Sequence, residues 1–131
     1  MNITVYGIRA VADGAEAEIS IELRSGEQTQ TIKGLVSASM LGELGFGSRI
    51  GTIFEIDRKT CDAVLRSMKL HSAIKKGISL LGYSKSTQRA MKQKLARKGY
   101  PADIAEEASE FLALRGYIRE YDDAEIYAEN L

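Results

Sequence analysis

Residues 15–24 alternate without a break. Ala15, Ala17, Ile19, Ile21 and Leu23 fall on one side, and Glu16, Glu18, Ser20, Glu22 and Arg24 fall on the other. A period of two is the signature of a strand with one buried and one wet face. A helix would scatter these residues around its axis, so this stretch commits the chain to a sheet. A sheet of this size is marginal alone and needs a helix to cover its apolar side.

The flanking residues extend the same reading. Ile3-Thr4-Val5-Tyr6-Gly7-Ile8 is rich in β-branched residues and reads as a strand. Asp13-Gly14 and Ser25-Gly26 are turn pairs on either side of the alternating segment. Gln28 to Lys33 reads as a third strand, giving a small antiparallel meander. Met40, Leu41 and Leu44 suit a short helix, although Gly42 weakens it. Gly45, Gly47 and Gly51 mark a loop, since their spacing and context lack the strand-to-helix cradle of a nucleotide site.

The period changes after Asp57, a good N-cap residue. Cys61, Val64, Leu65, Met68, Ile74, Ile78 and Leu81 approximate one helical stripe, ending near Leu81-Gly82. A second helix begins after Ser84 or Thr87, carries Met91 and Leu95, and stops at Gly99. Pro101 suits the first turn of a third, which carries Ile104, Ala105, Ala108, Phe111 and Leu112 inward and ends at Gly116. A fourth starts near Glu120, with Tyr121, Ala124, Tyr127 and Ala128 as its apolar stripe. Short helices joined by short turns are the ingredients of a helix-turn-helix-like bundle. The expected fold class is α+β. A small β domain over residues 1–56 precedes a helical region over 57–131.

Charge is sorted along the chain although the total is zero, with 18 bases and 18 acids. From Arg58 to Lys98 there are twelve Lys and Arg against one acid, Asp62. From Gly99 to Leu131 there are nine acids against two Arg. A concentrated positive field attracts phosphates or an acidic protein groove. Lys75, Lys76, Lys85, Arg89, Lys92, Lys94, Arg97 and Lys98 are therefore the candidate contact residues. The competing reading is a solvated helix face. For the acids, Asp103, Glu106 and Glu107 suit the start of a helix through its dipole, and others suit pairing with the basic helix.

The remaining chemistry-bearing residues point to structure. His71 continues the apolar stripe of the long helix and has no partner at metal spacing. Cys61 is the only cysteine, which excludes an internal disulfide and fits a reducing compartment. Its apolar face makes it a core thiol. Tyr83, Tyr100 and Tyr117 lie at helix ends, where packing with a wet hydroxyl is the default and base stacking the minority reading. No grouping of nucleophile, base and oxyanion donors occurs, and no metal cluster, so a catalyst, metal site or cofactor is not expected. No apolar run approaches the ~20 residues of a membrane span, and Met1 to Val5 lacks a signal-peptide start. The expectation is a cytoplasmic protein without a small-molecule substrate.

Leu80-Leu81-Gly82-Tyr83, Thr87, Met91, Lys94-Leu95, Lys98-Gly99-Tyr100, Ile104, Phe111-Leu112, Gly116-Tyr117-Ile118, Ala124 and Tyr127 resemble the RecX family of recombinase regulators. The resemblance runs over residues 72–131. Gly45 to Asp57 and the helix after it look like the β-rich N-terminal extension of some members. Thr87 stands where Ser is usual, Ala90 where a capping-box Glu is common, Arg119 where Asp or Asn is usual, and Asp123 where an aromatic is usual.

The resemblance implies tandem three-helix modules, the first over residues 72–116 and the start of a second over 117–131. It implies a chain that continues beyond Leu131. It also implies a non-enzymatic regulator that binds the RecA recombinase, lodges in the groove of its filament on single-stranded DNA, and restrains ATPase and strand exchange. In that setting the basic block would hold the filament and the DNA nearby. The rivals are a stand-alone helix-turn-helix regulator that reads duplex DNA through one helix, and a module that binds only protein.

Overall fold

The computed structural model describes residues 1–118. The fold is α+β. In chain order the elements are β1 (Asn2–Val11), β2 (Glu16–Ser25), β3 (Gln28–Ser37), α1 (Ala38–Glu43), β4 (Phe54–Ile56), α2 (Arg58–Leu81), α3 (Gln88–Arg97) and α4 (Ala102–Leu114). The expected fourth helix, from Glu120, lies outside the described residues, as do the departures at Arg119 and Asp123.

The meander is as the alternation demands. The sheet is antiparallel with strand order β3-β2-β1-β4. Val5 faces Ile21, and Ala17 faces Val36, in the registers of the β1–β2 and β2–β3 pairs. In β1 the buried residues are Ile3, Val5 and Ile8, which no strict alternation permits. A register shift between Val5 and Gly7 resolves this, because one extra residue moves the later side chains to the other face. The turn at Ala12–Gly14 holds its three residues at φ 52°, 55° and 87° and is closed by the Ala15 N–H donating to the Ala12 carbonyl at 3.1 Å.

Two elements of this unit go beyond the sequence reading. β3 extends to Ser37, past the expected end at Lys33. β4 is a three-residue edge strand, pairing Phe54 with Val5 and Ile56 with Ile3. The glycine-bearing segment between α1 and β4 is a loop, as expected. It is held by the Phe46 and Phe54 rings, edge to face at 5.0 Å, with the Arg49 guanidinium 4.6 Å from the Phe54 centroid. Ser37 caps α1 by accepting the Met40 N–H at 3.1 Å.

Asp57 caps α2, its Oδ1 accepting the Thr60 N–H at 2.7 Å. Hydrogen bonding from Thr60, through its side chain and then its backbone, holds the Asp57 carboxyl below the usual carboxylate range. Cys61, Val64 and Met68 then join Ile3, Val5, Ile19, Ile21 and Val36 in one core. Cys61 is the expected core thiol, and burial pushes its pKa up, aided by Asp62. His71 is also buried, but on a polar partner: its Nε2 lies 2.6 Å from Glu16 Oε2.

The chain divides into two compact units, Met1–His71 and a second beginning at Ser72. The division falls inside α2. The physical reason is that Cys61, Val64 and Met68 belong to the core of the sheet.

Candidate nucleic-acid interface

The second unit is built from the end of α2, α3 and α4. Its buried apolar residues include Ala73, Ile74, Met91, Leu95, Ile104, Ala105, Ala108, Leu112 and Ile118. The expected stripe on α2 changes character here. Ile78 is 37% exposed, while the small Ala73 and Gly77 are buried instead. A Cβ on Gly77 would stand 2.5 Å from Leu112 Cδ1, so the missing side chain sets how closely α4 approaches. On α4, Phe111 is half-buried with the Arg115 guanidinium 5.0 Å from its ring, and Ser109 takes a buried place the sequence reading did not assign.

α3 begins at Thr87, whose hydroxyl accepts the Ala90 N–H at 3.1 Å. Of the two candidate starts, Ser84 and Thr87, Thr87 is the cap. Replacing it with Ala leaves that N–H without its partner. The expected cost is about 1 kcal/mol of the helical unit's stability, read by chemical denaturation, with Thr87→Ser close to wild type. The helix closes at Gly99, which takes φ 100°. Pro101 occupies the N-cap of α4, one position before the first turn where it was expected.

The helical step of about 100° sorts the cations of α3. Arg89, Gln93 and Arg97 lie four residues apart in one outward row, and all three are exposed. Lys92 and Lys94 flank the buried Met91–Leu95 stripe on opposite sides, and both are half-buried. Lys92 Nζ lies 3.7 Å from Glu106 Oε1 of α4, in a solvent-exposed pair worth about 0–1 kcal/mol. Gln88, Arg89, Lys92, Glu106 and Ser109 line an open cleft between α3 and α4. Lys85 is exposed before α3, and Lys98 is exposed at its C-cap. On α2, Lys75 is exposed and Lys76 half-buried.

The eight candidate residues thus share one unit but not one face. Arg89 and Arg97 present their charge outward without an ion pair among the described residues. Lys94 and Arg97 also sit in the last turn of α3, where positive charge suits the helix dipole. Tyr100 behaves as a helix-end tyrosine should, with its hydroxyl 2.8 Å from that of Ser72. Tyr83 does not: it is 88% exposed. No group of three or more His, Cys, Asp or Glu among the described residues has the arrangement of a metal site. No described helix is long and apolar enough to cross a membrane.

Short helices around a small core, with a capped turn before a cation-bearing helix, define a helix-turn-helix-like module. Residues 73–112 match the family model of the RecX first three-helix domain. This part of the chain is therefore similar to the first three-helix domain of the RecX family. A solved structure, the crystal structure of regulatory protein RecX, aligns with a TM-score of 0.65 at 18% identity. That alignment covers 98% of this chain and 58% of the solved one, so the likeness of fold extends through the β-rich part. This chain accordingly spans somewhat more than half the length of that RecX. Among curated proteins, none matches it.

Proposed function

We propose that this protein is a RecX-type regulator that binds a RecA-type recombinase filament on single-stranded DNA and inhibits its ATPase and strand exchange. The observation that carries this reading is the coincidence of the RecX first-domain match with the cation-bearing helix. Residues 73–112 contain α3, whose Arg89 and Arg97 face outward. The action is occupancy without catalysis. The exposed guanidiniums engage phosphates or acidic groups of the polymer, and the bound protein blocks the groove that a second duplex must enter. Phosphate contacts of this kind give affinity without base specificity. Lys76, Lys94 and Lys98 add to the positive field of the same unit, and Lys75, Lys85 and Lys92 add to it beside interaction partners of their own, Glu106 in the case of Lys92.

The test is co-sedimentation with recombinase filaments assembled on single-stranded DNA, across a salt series. Binding that weakens steeply with salt is expected. Absence of the protein from the pellet at low salt would reject the reading. Sequence-specific binding to duplex DNA without recombinase would favour the stand-alone regulator, and salt-insensitive association would favour a protein-only module.

A further inference from the structure

Tyr83 is the aromatic side chain whose position the fold explains least. It sits between α2 and α3 with 88% of its surface exposed. The turn does not depend on the ring. The Tyr83 and Ser84 N–H groups both donate to the Leu80 carbonyl, at 3.1 and 3.2 Å, so backbone bonds shape the segment. The Tyr83 hydroxyl makes no hydrogen bond among the described residues, unlike that of Tyr100. An aromatic ring held in water leaves its apolar faces unburied, against the usual driving force.

Its neighbours in sequence are cationic. Lys85 follows two residues later, Arg89 lies in the first turn of α3, and no acid occurs in the sequence between Asp62 and Asp103. A displayed ring beside phosphate-seeking charges is the arrangement that grips single strands, where unpaired bases offer open faces. A duplex hides those faces in its stack.

We propose that Tyr83 is a stacking platform for a base of single-stranded DNA, with Lys85 and Arg89 on neighbouring phosphates. This deepens the filament reading and rests on it, since the filament supplies the strand. The ring would let the protein prefer a single strand over a duplex without reading sequence.

The test compares the 131-residue chain with its Tyr83→Ala and Tyr83→Phe variants. Fluorescence anisotropy would follow labelled oligothymidine and a labelled duplex of equal length at fixed salt. Tyr83→Ala should bind the oligothymidine about tenfold more weakly, and Tyr83→Phe should stay within roughly twofold of wild type. Duplex affinity should not change with either. Melting curves of the variants should match wild type, because the ring is outside the core. Equal oligothymidine binding by Tyr83→Ala and wild type would overturn the stacking role, as would equal losses on both nucleic acids. If Arg89→Glu still weakens binding in that case, the filament reading survives and only the platform falls. A wild-type chain that binds no oligothymidine would also overturn the platform, whereas the filament reading stands or falls on co-sedimentation with the filament.

Discussion

Valine at Gly34 should destabilise the N-terminal unit by about 2–3 kcal/mol, as overpacked cores do. Gly34 lies in β3 opposite Ile19 and under α2. A Cβ there would stand 2.5 Å from Met68 Sδ, 2.8 Å from Cγ and 3.2 Å from Cβ. Swinging the thioether aside relieves only the first contacts, because the last is with the root of the side chain. Either α2 or β3 must then move, and both are fixed by the same buried cluster. The strand preference of Val offsets at most about 1 kcal/mol of this. Thermal denaturation should show a midpoint lower by roughly 10 °C. Adding Met68→Ala should recover part of the loss, which a double-mutant cycle reads as coupling between the two positions. Additive losses would mean that strand and helix do not meet at Gly34.

Reversing charge at Arg89 and Arg97 together should weaken filament binding at least tenfold while leaving the fold intact. Both side chains are exposed, and substitution of such residues usually changes stability by no more than about 0.5 kcal/mol. Arg97 lies in the last turn of α3, so Glu there adds a dipole penalty of about 0.3–1 kcal/mol, to be checked by melting. The effect on binding is larger because every lost phosphate contact also forfeits released counterions, and a carboxylate in its place repels. Lys92→Glu should do less, since Lys92 already lies beside Glu106 on the flank of the buried stripe.

The legible parts of the fold were those where side-chain period and local backbone chemistry agree. The alternation of residues 15–24 specified β2 and, at Ala17, Ile19 and Ile21, its buried face, although Ser20 on the expected wet side is buried and Ala15 lies exposed before the strand; Asp57, Thr87, Gly99 and Gly116 marked helix ends. What escaped was set by contacts distant in sequence. β4 is too short to show a period and exists because Phe54 and Ile56 pair with β1. β3 runs on through Gly34, a poor strand residue, because only a glycine admits Met68 there. The stripe on α2 misplaced Ile78, because close approach by Leu112 selects a glycine at position 77 and Ile78 beside it is left 37% exposed.

The candidate site was legible as a basic stretch but not as a surface. Charge counting treats Lys92 and Arg89 alike. Helical phase turns one toward Glu106 and the other outward. The burial of His71 against Glu16 joins residues on different elements, which no local pattern announces. For Tyr83 the general habit of tyrosines at helix ends pointed the wrong way, and only the exposed ring separated it from Tyr100.

The claim at the centre is that a guanidinium row on the second helix of a RecX-type module grips and silences a recombinase polymer. Its most direct measurement is the single-stranded-DNA-dependent ATPase rate of RecA-type filaments as this chain is titrated in, beside the Arg89→Glu/Arg97→Glu variant. ATP turnover should fall with added wild type and need at least tenfold more of the variant for the same fall. A turnover rate indifferent to the wild-type chain, or equally depressed by both, would contradict it.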